Sequence, residues 1–91
     1  MFTFEWDNAK AARNLRKHGV SFDEAVTLFG DAHAITFSDT DHSESEDRSR
    51  TYGLSIRGRL LVVVHTERRN NIRIISARKA TRYEKTIYED E

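Results

Sequence analysis

Two β-branched runs, at residues 60–64 and 72–75, constrain the fold of this chain more than any other feature. Such residues favour strands, and residues 68–71 (RRNN) between the runs have the composition of a turn. The runs therefore predict a central β-hairpin. Both are apolar at nearly every position, which is typical of inner strands, and polar side chains lie only towards the strand ends. We expect any chemistry at these ends.

The segments before the hairpin predict one strand and two helices. Residues 2–6 alternate aromatic and polar side chains, the pattern of an edge strand with one buried face. Asp7 is a candidate N-cap for a helix over residues 8–18, and Gly19 is a candidate C-terminal stop. A capping box opens a second, amphipathic helix over residues 21–30.

Three further elements complete the predicted fold. Residues 34–37 form a short apolar run, residues 48–56 alternate as a strand with one apolar face, and residues 81–88 open with a second capping box. The expected order is β-α-α-β-β-β-β-α. This is an α+β fold, a small twisted antiparallel sheet with helices packed on one face. At 91 residues, the chain has room for a single domain, residues 1–91.

Turn geometry decides which side chains share a face of this sheet. Gly58 suits the left-handed position of a three-residue loop between the third and fourth strands, which pairs Ser55 with Arg59 and places Tyr52 opposite Val62. A second three-residue turn, at residues 69–71, places Ile74 on the same face as Val62. We expect the helices to cover that face. His65 then falls on the opposite, open face.

Charge is distributed in blocks although the formal net charge is zero. Residues 20–47 hold eight acidic side chains and no Lys or Arg, whereas residues 48–85 hold eleven basic and two acidic side chains. Such asymmetry favours contact with a polyanion. The alternative is that folding interleaves the two blocks, which then neutralise each other.

Several classes of protein are disfavoured by the sequence. Cysteine is absent, which excludes a disulfide framework and a thiolate zinc site. The N-terminus lacks the layout of a signal peptide, and the longest apolar run is far shorter than the roughly 20 residues of a membrane span. We therefore expect a cytoplasmic protein. The acidic loop resembles a calcium loop only superficially, because Glu44 and Arg50 stand where Gly and a bidentate Glu are needed. We expect a solvated loop, no metal site and no cofactor.

Four segments together resemble the BrnT family of type II toxins. They are FEWDNAKAARNLRKHGVSFDEA at residues 4–25, DTDHSE at 39–44, GLSIRGRLLVVVHTER at 53–68 and IRIISARKATRYE at 72–84. The family comprises small ribonucleases whose fold is similar to that of the RelE and ParE toxins. The resemblance implies RNA cleavage that arrests growth. It also implies neutralisation by a BrnA-like antitoxin of the ribbon-helix-helix class, in a hetero-oligomer.

RNA cleavage without a metal requires a base for the 2′-hydroxyl, an acid for the leaving 5′-oxygen and cations on the phosphate. The predicted hairpin carries side chains of all three types near its ends. The catalytic candidates are His65, Glu67, Arg73, Arg78 and Lys79. The RNA-binding candidates are Arg48, Arg50, Arg59, Arg68, Arg69, Arg82 and Tyr83.

Alternatives remain open for these residues. A histidine at a strand end is often a packed core residue, and a Glu–Arg pair across a hairpin is often a surface ion pair. His18 suits a helix C-terminus, although it is also a catalytic candidate. Two other classes compete with the ribonuclease: a nucleic-acid-binding module without catalysis, and a ParE-like toxin that acts on a protein such as gyrase. Loss of His65 and Glu67 would leave a simple binding module active.

Overall fold

The computed structural model describes residues 2–39 and 47–90. Its strands are β1 (Thr3–Glu5), β2 (Ile35–Ser38), β3 (Arg48–Leu54), β4 (Leu60–Arg68) and β5 (Asn71–Lys79). Its helices are α1 (Asn8–His18), α2 (Phe22–Ala25), which continues into a 3₁₀ turn at Val26–Gly30, and α3 (Arg82–Glu89). The predicted α+β class and element order are confirmed. Most of the acidic loop, residues 40–46, lies outside the described residues.

The strands form one five-stranded sheet in the order β1-β5-β4-β3-β2. The predicted central hairpin, β4 and β5, lies inside the sheet, and β1 lies at an edge. Neighbouring strands are antiparallel except for β1, which pairs parallel to β5. In the described part of the chain, no helix has the length and apolar character needed to cross a membrane.

The helix termini follow the local sequence signals. Asp7 accepts hydrogen bonds from the backbone N–H groups of the first turn of α1, and Gly19 ends that helix in the left-handed conformation with φ 70°. Ser21 accepts from the backbone N–H of Glu24. The Glu24 carboxylate does not complete the predicted capping box, because it binds the side chains of Ser55 and Arg59. This contact joins α2 to the β3–β4 loop.

The α1 and α2 helices cover the sheet face that carries Leu61 and Val63, which we call the covered face. Its core consists of buried residues from the helices and from β4 and β5: Val20, Phe22, Ala25, Leu28, Leu61, Val63, Ile72, Ile74 and Ala77. The predicted register between β3 and β4 is confirmed, since Tyr52 pairs with Val62 and Gly58 has φ 76°. The predicted helix face is wrong, because Val62 lies on the opposite side of β4 from Leu61.

The loop between β4 and β5 accounts for part of this difference. Arg68 pairs with Asn71, which leaves a two-residue loop with Arg69 at φ 57° instead of the predicted three-residue turn. Two-residue loops match the natural twist of a hairpin. The shorter loop shifts the alternation by one residue. As a result Ile72 and Ile74 join the covered face.

A β-bulge at Ile75 shifts the alternation a second time. His65 pairs with Ile74, whereas Val64 pairs with Ser76, so that Ile75 is the extra residue of β5. A bulge reverses the faces of the residues that follow it. Arg73 and Arg78, which an unbroken strand would place on opposite faces, therefore share the face opposite the covered one.

The α3 helix differs from the prediction by lying against this second face. Its N-terminus has a complete capping box between Thr81 and Glu84, and the Glu84 carboxylate binds Arg78 on β5. Near its other end, the Tyr88 hydroxyl donates a hydrogen bond of 2.6 Å to Asp31. This bond raises the pKa of Tyr88 to about 12. These side-chain contacts hold α3 over part of the sheet and leave the rest of that face open.

Candidate active site

His65, predicted to be catalytic on the open face, is buried on the covered face. Its side chain is 0% exposed on the covered face. Its Nε2 atom lies 2.7 Å from the Thr51 hydroxyl, and its ring meets Phe29 edge to face at a centroid distance of 5.0 Å. Burial lowers the pKa of His65 to about 4, so the ring is neutral near pH 7. His65 is therefore placed among the core residues and not on a surface that RNA can reach.

Glu67 and Lys79, also predicted to be catalytic, do not meet. Both side chains are exposed, and they lie at opposite ends of the β4–β5 pair. Glu67 pairs with Ile72, and Lys79 pairs with Leu61. Leu61 and Glu67 are six residues apart on β4, which corresponds to about 20 Å in an extended strand. They therefore cannot act together on one phosphate.

Arg59, predicted to bind RNA, belongs to a structural ion pair. Its guanidinium binds the buried Glu24 carboxylate and also donates to the Gly19 carbonyl oxygen. The hydrogen bond from Arg59 lowers the pKa of Glu24 to about 2. Removing a buried carboxylate's partner is costly. Arg59 is therefore placed in the fold rather than at an RNA site.

Four other predicted arginines share the open face, which we call the basic face. Arg48 and Arg73 both pair with Thr66, one from each side of β4, and so lie in one row across the sheet. Arg50 lies in the next row, opposite Val64, and Arg78 lies in the row after that, opposite Val62. Arg73 makes an exposed ion pair of 3.1 Å with Glu5. Such exposed pairs contribute only about 0 to 1 kcal/mol, so Arg73 is accessible to another anion.

The centre of the basic face is a groove, which we call the arginine groove. Its lining comprises Asp39, Arg48, Arg50, Val64, Ile75, Ser76 and Arg78. Three arginines and one aspartate thus line one cavity. In the part of the chain that the structure describes, no group of three or more His, Asp or Glu side chains is placed to hold a metal ion. A cluster of arginines would also repel a cation.

Arg78 is held rigidly in this groove. Its two terminal nitrogens bind the two Glu84 oxygens at 2.7 and 2.9 Å, and Nη1 also donates to the Lys79 carbonyl oxygen at 3.3 Å. The hydrogen bond from Arg78 lowers the pKa of Glu84 to about 2, so the pair is ionised at neutral pH. Guanidinium has five N–H donors. The contacts with described residues use three of them, so two remain for a ligand within that part of the chain.

Arg50 connects the arginine groove to a neighbouring aromatic pocket. Among the described residues, its buried Nε atom has no hydrogen-bond partner. The pocket next to it is lined by Phe37, Arg50, Tyr52, Tyr83, Glu84 and Ile87. The Tyr83 side chain is 73% exposed and is the most accessible aromatic group of this pocket. Nucleobases stack on such side chains.

The remaining candidates lie around this centre. Arg82 is exposed at the first position of α3, and Arg68 and Arg69 are exposed at the β4–β5 turn. His18, the last residue of α1, lines a different groove between α1 and β5. Sequence reasoning did not select Asp39, which lines the arginine groove and whose backbone N–H donates to the Arg48 carbonyl oxygen at 2.8 Å. Its position directly after β2 and beside the first arginine of β3 was the available signal.

Comparisons with known proteins identify the family and the fold of this chain. A family model described as "Ribonuclease toxin, BrnT, of type II toxin-antitoxin system" matches residues 6–84. The fold is similar to the crystal structure of the Brucella abortus ribonuclease toxin BrnT, with a TM-score of 0.68 and 20% sequence identity over 90% of this chain and 100% of that chain. No curated protein matches the sequence. Because the family model matches most of the residues, this chain belongs to the BrnT family of ribonuclease toxins of type II toxin–antitoxin systems.

Proposed function

We propose that the arginine groove is the catalytic site and that it cleaves RNA without a metal ion. The observation that carries this proposal is that Arg48, Arg50, Arg78 and Asp39 line one groove of the basic face. Cleavage of RNA through the 2′-hydroxyl builds negative charge on the phosphate, and fixed cations stabilise such charge more in the transition state than in the ground state.

The chemistry assigns separate roles to these side chains. Asp39 takes the proton of the 2′-hydroxyl, and the 2′-oxygen attacks the adjacent phosphorus. The bond from phosphorus to the 5′-oxygen breaks, and the leaving oxygen takes a proton from water, to which the groove is open. The products are a 2′,3′-cyclic phosphate and a free 5′-hydroxyl. Arg50 and Arg78 bind the non-bridging oxygens through their available N–H groups.

Glu84 is a positioning residue in this scheme. It accepts hydrogen bonds from both terminal nitrogens of Arg78 and from the backbone N–H of Thr81. These contacts fix the plane of the Arg78 guanidinium relative to the sheet. Hydrogen-bond donors that are already fixed in place lose little conformational entropy when negative charge develops on the phosphate in the transition state.

The aromatic pocket extends the site to the base beside the scissile phosphate. Tyr83 offers an exposed ring next to Arg50, and stacking of a base on an aromatic ring contributes about 1 to 3 kcal/mol. A base must leave a duplex in order to stack there, which favours single-stranded RNA. Arg48 and Arg73 add positive charge along the same face.

The charge of the basic face also indicates what kind of antitoxin segment can bind it. An antitoxin that silences the enzyme must cover the basic face, and an acidic or amphipathic segment of a ribbon-helix-helix, BrnA-like protein is complementary to its charge. Release of the toxin then exposes the groove to RNA in the cytoplasm and arrests growth. Association of the two proteins should slow as salt concentration rises.

The test is cleavage of total RNA by the purified chain in excess EDTA, with the new ends analysed for 2′,3′-cyclic phosphate. Arg78→Ala, Arg50→Ala and Asp39→Asn should each reduce cleavage by about 100-fold or more, which is typical when a stabilising donor or a base is lost. Arg57→Ala is the matched control, because Arg57 is an exposed arginine of the β3–β4 loop outside the groove. Its activity should remain at the wild-type level.

Each substituted protein should keep its melting temperature within a few degrees of wild type, so that loss of activity reports on the site. Cleavage that occurs only after magnesium is added would reject the mechanism. Retained cleavage in Arg78→Ala would move the site away from this groove. Growth arrest without RNA cleavage would support a protein target instead.

A further inference from the structure

The α1 helix presents a row of cations towards β5. Lys10, Arg13 and Lys17 line one groove together with Asn14, His18, Ile75 and Ser76. The three cations are spaced three and four residues apart, which places them on one side of a helix. They extend over about 10 Å at the rise of an α-helix. Within residues 2–39 and 47–90 none of them forms a salt bridge.

The groove exists because β5 is only partly covered at its outer edge. The β1 strand pairs with Asn71–Arg73 and no further. Beyond that point, the Asn14 side chain takes the place of a neighbouring strand: it donates to the Ala77 carbonyl oxygen at 2.8 Å and accepts from the Ala77 N–H at 3.1 Å. The α1 helix is thereby anchored beside the edge of β5. An open channel remains between the helix and the strand.

This channel adjoins the arginine groove. Ile75 and Ser76 line both cavities. Ile75 is the bulged residue, and bulges bend a strand and increase its local twist. A single extended chain can therefore pass from the basic face, over the bulge, to the cationic side of α1.

We propose that this α1 groove binds the phosphate backbone of the RNA strand beyond the cleaved nucleotide. The inference rests on the proposed ribonuclease function and adds a second contact region to it. Lys10, Arg13 and Lys17 contact successive phosphates, and the apolar floor at Ile75 imposes no base preference. RNA is favoured over an acidic protein segment because the α1 groove adjoins the arginine groove, where the proposed function places the scissile phosphate.

The test measures binding separately from cleavage. The ligand is a fluorescent 20-nucleotide RNA with every 2′-hydroxyl methylated, which removes the attacking group. The triple variant Lys10→Ala, Arg13→Ala, Lys17→Ala should bind this RNA at least tenfold more weakly than wild type. The slope of log Kd against log salt should fall by about 2, since each phosphate contact on a single strand contributes about 0.7. A methylated dinucleotide, whose single phosphate cannot occupy both grooves at once, should show a much smaller difference.

The matched control is Arg16→Ala on the same helix, because Arg16 is exposed but does not line the groove. This variant should bind the 20-nucleotide RNA as wild type does. Equal affinity of the triple variant and wild type for that RNA would overturn the inference. A triple variant that binds RNA normally but has lost antitoxin binding would overturn it in favour of a protein-binding groove. Failure of the proposed function is distinguishable, because it appears as retained cleavage in Arg78→Ala whatever the triple variant does.

Discussion

Burial of His65 predicts a specific loss of stability in mild acid. The ring is 0% exposed, and its pKa falls from 6.5 to about 4 in the folded protein. The unfolded chain therefore binds a proton at this residue at a higher pH than the folded protein does. The contribution of neutral His65 to the free energy of unfolding is fully present above pH 6.5 and is lost as the pH falls from 6.5 towards 4. Protonation in this range favours unfolding.

The size of the effect follows from the shift in pKa. Each unit corresponds to about 1.4 kcal/mol, and between pH 7 and pH 5 the linkage relation gives a loss of about 2 kcal/mol in the free energy of unfolding. This is a large part of the stability of a small domain, typically about 5 to 15 kcal/mol. The ion pairs of Glu24 and Glu84 lose their stabilising effect only at lower pH. Their pKa values are lowered from 4.5 to about 2 by Arg59 and Arg78, so their contribution is lost only as the pH falls below about 4.5.

The assay is urea denaturation of wild type and His65→Gln at pH 7 and pH 5. Glutamine is polar enough to bind Thr51 and does not titrate. Wild type should lose about 2 kcal/mol more than the variant over this interval, because all other titrating groups are common to both proteins. Equal losses in the two proteins would refute the argument from burial. The folded His65→Gln variant should also retain RNA cleavage, and a folded but inactive variant would restore the catalytic role predicted from the sequence.

Three further substitutions test the fold and the site. Glu84→Gln should lower the rate of cleavage at least tenfold with little change in RNA affinity, because Arg78 stays charged but loses its fixed orientation. Single-turnover kinetics measure the rate, and RNA titration measures the affinity. An unchanged rate of cleavage would contradict the positioning role. Asn14→Ala should destabilise the protein by about 2 to 4 kcal/mol in urea denaturation, because the buried N–H and C=O of Ala77 lose their partner; a change below 1 kcal/mol would mean that water replaces the side chain. Ile74→Ala should cost about 2 to 5 kcal/mol and lower the melting temperature, since its side chain fills the core on the covered face; a normal melting temperature would contradict that packing.

The sequence by itself determined the local elements of this protein. The apolar runs of β4 and β5 identified the central hairpin, and the cap at Asp7 and the capping box at Thr81 located helix starts that the structure confirms. Gly58 identified the β3–β4 loop and its register. These signals succeed because they depend on residues close together in the chain, where backbone conformation and hydrogen bonding are decided locally.

Only the tertiary structure decided which side of the sheet is covered and which residues form the site. Both sides of β4 are apolar, so the alternation identifies two sets of positions without showing which set meets the helices. The two-residue loop at Arg69 places Ile72 and Ile74 on the covered face, and the bulge at Ile75 brings Arg78 onto the face of Arg73. His65 is buried because the helices cover the side of β4 that carries Leu61 and Val63. A bulge depends on how the partner strand and the packed helices fit, which are contacts between segments distant in sequence. For this reason the basic block was visible in the sequence, whereas the arginine groove was not.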